Sequence, residues 1–219
     1  MKRFVPRYLD PASRLGEILF GLIMVLTVTL TAGFAVGEGE AGVRELLLAA
    51  IGCNVAWGVI DAVMYIMSSV TVRSEKAQLV TAVQHAPDSG TALALVQENL
   101  EPELQAWLAP GEGEAFSRSV LPYLFNAQVT RTNVTRDDVY GAIACFILVF
   151  VSCLPAAVPF FLFSQPHLAL RVSNLLLLIL LFLVGRKWAR YVGLSQLASG
   201  SVMLLIGLAL VGVAILLGG

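Results

Sequence analysis

The sequence predicts an all-α integral membrane protein: five transmembrane helices, with a small helical cytosolic insert between helices two and three. Three observations carry this expectation. Five apolar runs, Ile18–Ala35, Leu46–Val70, Ala142–Phe163, Leu168–Gly185 and Leu197–Leu217, are each near the roughly 20 residues a helix needs to cross a bilayer. Charged residues make up 13% of the 219, against about 25% in a soluble domain. One long polar segment, Thr71 to Tyr140, breaks the pattern between the second and third runs. Lipid offers the backbone no hydrogen-bond partners, so spans of this length are helices. The chain thus divides into 1–70 (an N-terminal segment and helices one and two), 71–140 (the insert) and 141–219 (helices three to five).

Lys and Arg set the orientation. With the N-terminus in the cytosol, twelve of the fourteen fall on the cytosolic side, and only Arg44 and Arg171 fall outside. The positive-inside rule favours that topology, which puts the C-terminus on the far side. The plasma (inner) membrane is expected over an organelle. The start "MKRFVPRYLDPASR" has no cleavage pattern ahead of the first apolar run, so that run is read as a retained span.

Helix one carries a stripe at helical spacing, Glu17, Gly21, Met24, Thr27 and Thr31, against a background of Leu, Ile, Val and Phe. Helix two contains "GCNVAWGVIDAVMYIM". A carboxylate inside a span costs a few kcal/mol, and such residues face a bundle interior or a wet cavity. The face bearing Asp61 also holds Asn54, Trp57 or Gly58, Met64 or Tyr65, and Ser68. A short loop joins the two helices, which are expected to be antiparallel with the stripes facing. Asp61, Asn54, Met64, Met24 and Glu17 then form a candidate path for a cation or proton, with Glu17 at the inner mouth. Carboxylate and carbonyl oxygens suit hard divalent cations, and a thioether tilts a site toward softer metals.

The insert reads as three short helices. "VRSEKAQLVTAVQHA" continues helix two, "PDSG" is a turn with Asp88 or Ser89 as a cap, and "TALALVQENLEPELQAWL" and "AFSRSVLPYLFNA" are amphipathic. Its candidate metal ligands are Glu98, Glu101, Glu103, Glu112, Glu114 and His85, expected to bind weakly; ordinary solvated acids are the competing reading. Helix three holds Cys145 and Cys153, the latter ahead of Pro155 and Pro159 in "SCLPAAVPFF", where an opened backbone would let a thiol line a path. Helix two holds Cys53. Cysteines inside spans argue against a disulfide framework. No Cys/His zinc spacing, phosphate-binding glycine loop, basic stripe or nucleophile–base arrangement occurs, which argues against an enzyme and against a nucleic-acid partner.

Taken in order, several stretches resemble the vacuolar iron transporter family. "SRLGEILFGLIMVLTVTLTAG" is similar to its first helix with the "FG" pair, and "MYIMSSVTVRSEK" to the end of its second. "DDVYGAIACFILVFVSCLPAAVPFFL", "LLLLILLFLVGRKWARYVG" and "GSVMLLIGLALVGVAILLG" are similar to its third, fourth and fifth helices. The resemblance spans nearly the whole chain. It implies a dimeric exporter of cytosolic iron(II) or manganese(II), coupled to protons, with no fixed cofactor and with lipid, a second copy and the divalent ion as partners. The family's path uses an Asp on helix one and a Met on helix two. This chain departs there: Met24 stands at the Asp position, and Asp61 stands near the Met position, an exchange of donors across one interface. A row of small residues on helix five, Gly200, Gly207 and Ala214, would seat the second copy, the contrary reading being that it packs within the protomer. The alternative is a degenerate relative that no longer transports and serves as a structural or interaction protein of the membrane.

Overall fold

The structure is a computed structural model that describes residues 4–35, 40–100, 106–109, 111–129 and 132–216. The described residues form helices and connections only. In chain order the helices are α1 (Val5–Tyr8), α2 (Pro11–Ala35), α3 (Glu40–Gln84), α4 (Ser89–Glu98), α5 (Glu112–Phe125), α6 (Arg136–Leu162), α7 (Pro166–Val192) and α8 (Gln196–Leu216). Four of them, α2, α3, α6 and α7, are long and apolar enough to cross a membrane by length and composition. The chain divides into two compact units, Met1–Ile66 with Arg136–Gly219, and Met67–Thr135.

In the first unit α2 is the central element, packed on α6, α7 and α8. Its Leu22, Val25 and Leu26 are buried against Leu177 and Leu181 of α7, Cys153 and Ala156 of α6, and Ala50 of α3. Two polar side chains in this core, Thr29 and Ser173, find partners locally. The Thr29 hydroxyl donates to Val25 O at 2.9 Å and to Asn174 Oδ1 at 2.7 Å, and the Ser173 hydroxyl donates to Ala156 O at 2.7 Å. Buried hydrogen-bonding groups normally find partners in this way.

α7 ends at Gly193, whose φ of 73° is the left-handed conformation that closes a helix; Leu194 N then donates back to Ala189 O. The chain reverses and α8 returns along α7. Small residues make that return close. A Cβ on Gly185 would meet Ser199 O at 2.6 Å, one on Gly200 would meet the Phe182 ring at 2.7 Å, and one on Gly207 would meet Leu181 Cδ1 at 2.7 Å. The row expected to receive a second copy is therefore used within the protomer at Gly200 and Gly207, because those two glycines are where α8 and α7 need room. The Ala214 side chain lies outside the described residues.

A second correction concerns Cys153. α6 runs unbroken through Pro155 and Pro159. Cys153 is buried in the core, and its thiol donates to Phe150 O at 2.9 Å. The prolines remove two backbone donors, but α2 and α7 keep the helix packed on both sides, so no path opens at Cys153.

The second unit is built on the far half of α3. Val83 packs with Ala92 and Val96 of α4 and Leu121 of α5. Asp88 caps α4, its Oδ1 accepting from Thr91 N at 2.8 Å and its Oδ2 from the Thr91 hydroxyl at 3.0 Å. These bonds to the charged form hold the Asp88 carboxyl below the usual range. α4 stops at Glu98, so the amphipathic stretch "TALALVQENLEPELQAWL" is in this helix only over its first half. The Gln84 amide ties the helix end to the returning chain by donating to Leu124 O at 3.0 Å and Ala127 O at 2.8 Å.

Candidate functional site

α2 starts at a firm cap. Asp10 Oδ1 accepts from Ala12 N at 2.8 Å and Ser13 N at 3.0 Å, and its Oδ2 accepts from the Ser13 hydroxyl. These bonds, the Ser13 hydroxyl foremost, keep the Asp10 carboxyl below the usual range. The cap and Pro11 at the first helical position fix where the helix begins and so which face Glu17 takes.

That face meets α3 and α6. The carboxyl groups of Glu17 and Asp61 stand within hydrogen-bonding reach of one another, and the Cys145 thiol of α6 lies against Glu17. One turn further along α2, at Gly21, the three helices meet again. A Cβ there would collide with the Ser152 hydroxyl and would lie 2.7 Å from Val149 O and 3.2 Å from Asn54 Oδ1. Glycine thus lets α6 and the Asn54 side chain close on α2. The Asn54 amide donates to Ala50 O at 3.1 Å, which turns its oxygen into the seam.

The seam holds an unusual set of atoms. Glu17 Oε2, Asn54 Oδ1 and Asp61 Oδ2 are buried with no hydrogen-bond donor. Leaving a buried acceptor unpaired costs on the order of 1–3 kcal/mol, and more for a charged one. All three belong to the set expected from sequence, and the fold brings them onto one seam. Two facing carboxyls, each with a buried oxygen that has no partner, favour a proton or a cation between them.

α3 shows which half of each sequence alternative faces inward. Leu46, Ala50, Asn54 and Gly58 are buried and Asp61 and Tyr65 half-buried, at spacings of four, four, four, three and four. Gly58 and Tyr65 therefore belong to the seam, whereas Met64 is 59% exposed and Ser68 is exposed. Met64 is displaced because the stripe advances mainly by four, which carries the i+3 position off the face. Met24 is half-buried, seven residues along α2 from Glu17. The two thioethers expected to complete the donor set are thus not both gathered at the carboxyl pair. Glu17, expected at a separate mouth, is instead Asp61's immediate partner.

Sequence reasoning missed Cys145 and Ser152 as members of this seam, and left Tyr65 as one of two alternatives. The signal was present on α6: Gly141, Cys145, Val149 and Ser152 are spaced four, four and three, a face of small side chains in an otherwise bulky helix.

The insert acids are placed quite differently. Glu98, Glu112 and Glu114 are exposed. Glu112 Oε2 accepts from Ala109 N at 2.7 Å, and Glu114 pairs with Arg118 at 2.6 Å. His85 is exposed, with Nδ1 2.8 Å from Thr81 O. Glu101 and Glu103 lie outside the described residues. Among the described residues no group of three or more His, Cys, Asp and Glu side chains gathers as a metal-holding cluster. Comparison with protein-family models and with curated proteins gave no match.

Proposed function

We propose that this chain carries a divalent transition-metal ion, iron(II) or manganese(II), out of the cytosol through the seam between α2, α3 and α6, with protons moving in exchange. The observation that carries the reading is the set of three buried acceptors, Glu17 Oε2, Asn54 Oδ1 and Asp61 Oδ2, which have no hydrogen-bond partner in the seam. Cation and proton are the two species that relieve such a pair, and a path that exchanges one for the other uses both. Two carboxylates and an amide oxygen suit a small divalent ion, and the adjoining Cys145 thiol shifts the preference from magnesium and calcium toward transition metals. The metal is cargo in this reading, so a loose donor set is an advantage: an ion held by a closed shell would not leave.

In the same proposal α8, an apolar helix of 21 residues, is the fifth span. The N-terminus faces the cytosol of the plasma (inner) membrane, on the distribution of Lys and Arg, and the protein acts as a homodimer, on the family resemblance alone.

A second reading has its own observation. No cluster of three ionisable ligands forms among the described residues, and Met24 occupies the family's helix-one Asp position. On that reading Glu17 and Asp61 share a proton permanently and the protein is a structural or interaction partner in the membrane. The deciding experiment is metal uptake into proteoliposomes loaded with a metal indicator and a pH-sensitive dye, with iron(II), manganese(II), zinc and cobalt side by side. Flux of one metal with opposite acidification supports transport. No flux of any metal, from protein that is monodisperse and folded, overturns it.

A further inference from the structure

The short helix α1 sits at one end of this seam. Val5 and Leu9 are buried, at 6% and 3% exposure, in one cluster with Ala144 and Cys145 of α6, and Phe4, Tyr65 and Leu148 pack around them. Two members of that cluster lead to the carboxyl pair. Cys145 lies against Glu17, and Tyr65 follows Asp61 by one turn of α3. The Tyr65 ring fills a notch at Gly141, where a Cβ would collide with it, and its hydroxyl donates to Tyr8 O at 3.1 Å. Phe4, Tyr8 and Tyr140 complete an aromatic rim, with ring centroids 5.2 to 6.2 Å apart.

From this geometry we infer that residues 4–9 form a strap closing one mouth of the Glu17–Asp61 seam, latched by the Tyr65 hydroxyl on Tyr8 O, and that the strap lifts when the seam opens on that side. The construction suits a part that moves. α1 is four residues long, too short to be stable without its packing. It is separated from α2 by Leu9 and Asp10 alone, and Asp10 anchors α2 independently of α1. Among the described residues its attachment includes a small apolar cluster, ring contacts to Tyr140 and the Tyr65 hydrogen bond, whereas α2 is held along its length by α6, α7 and α8. The cover is a matter of geometry; only its purpose rests on the transport reading.

Cys145, 1% exposed beneath the strap, reports on the cover without any assay of flux. The test is the rate at which N-ethylmaleimide modifies Cys145 in the full-length purified protein carrying Cys53→Ser and Cys153→Ala, with fold checked by size exclusion and circular dichroism. Val5→Ser with Leu9→Ser should raise that rate roughly tenfold or more, since opening by about 1.4 kcal/mol is tenfold. Tyr65→Phe, which keeps the ring in its notch and is not expected to unfold the protein, should raise it about two- to fivefold for the loss of one hydrogen bond of about 0.5–1 kcal/mol. Unchanged rates in Tyr65→Phe and in the folded double variant overturn the strap. Faster labelling in proteins that move no metal would leave the strap standing and remove the transport reading; metal flux with unchanged labelling would do the reverse.

Discussion

Glu17 and Asp61 in the seam, and Glu112 and Glu114 in the second unit, are the same functional group met by opposite surroundings. The second-unit acids stand in solvent and still have local partners: a backbone amide for Glu112 and Arg118 for Glu114. The seam acids are half-buried, and each has a buried oxygen without a hydrogen-bond partner. Water makes a partner optional for an exposed carboxylate; an apolar surround makes it obligatory. On the proposed reading the buried oxygens of the seam acids are met by a proton or a cation, whereas the surface acids are accounted for by local partners. The contrast predicts that substitutions in the seam change function and those in the second unit do not.

The largest effect belongs to Asp61→Asn. It keeps the shape but removes the exchangeable charge, so metal-driven proton movement in proteoliposomes should fall by roughly tenfold or more, as expected for a lost charge-assisted contact of about 1.5–3 kcal/mol. The melting temperature in detergent should hold or rise, since an acceptor-only pair becomes one with an amide donor facing Glu17. Transport at the parental rate would make Asp61 structural. A large loss of stability would show that Asp61 has a partner essential to the fold.

Next comes Gly21→Val. A Cβ here meets the Ser152 hydroxyl and Val149 O, so α2 and α6 must part. Overpacking of this kind costs about 1–3 kcal/mol, read as a lower melting temperature, and it spreads the seam as well, so flux should fall with stability. If Gly21→Val melts like the parent, the three-helix approach is looser than described.

The seam was partly legible in the sequence, for a physical reason. A carboxylate in an apolar run is conspicuous because its insertion cost must be offset, and this singled out Asp61; Asn54 and Glu17 followed from spacing. The choice between Met64 and Tyr65 was not legible, because i+3 and i+4 are equivalent on an ideal helix and the register of the whole stripe decides between them. Nor was Cys145. A lone cysteine on a membrane helix reads as packing, and only the approach of α6 to Glu17 distinguishes it. The helices were legible in kind from apolar length alone. The partner of each face was not: Gly200 and Gly207 form a small-residue row that suits a second copy as well as α7, and sequence spacing carries no information about which of them arrives.

Asp10 offers a smaller test, at the boundary of the seam. Asp10→Ala removes the cap of α2 and should cost about 1 kcal/mol. The pH dependence has a definite sign. The folded carboxyl is held below its ordinary value, so its contribution is complete above the ordinary aspartate range near 3.9 and fades as pH falls through the depressed value. The melting difference between parent and Asp10→Ala should therefore be constant from neutral pH down to the ordinary aspartate range and shrink below it. A difference that instead grows on acidification would show that Asp10 is not the capping charge.

The smallest effect is expected where acids are most numerous. Glu114 and Arg118 are an i,i+4 pair whose side chains are 50% and 67% exposed. Solvent screens such pairs, which contribute about 0.3–0.5 kcal/mol. Glu114→Ala combined with Glu98→Ala should leave the melting temperature within about 0.5 kcal/mol of the parent, the usual range for surface substitutions. It should also leave manganese(II) binding, measured by calorimetry on the full-length protein, unchanged, because neither carboxylate belongs to a cluster of three or more metal-ligating side chains among the described residues. The outcome that breaks the comparison is a manganese(II) or iron(II) site of micromolar affinity or tighter that disappears in this double variant and survives Asp61→Asn. The ion would then be recognised first by solvated acids, and the buried pair would be left with the proton alone.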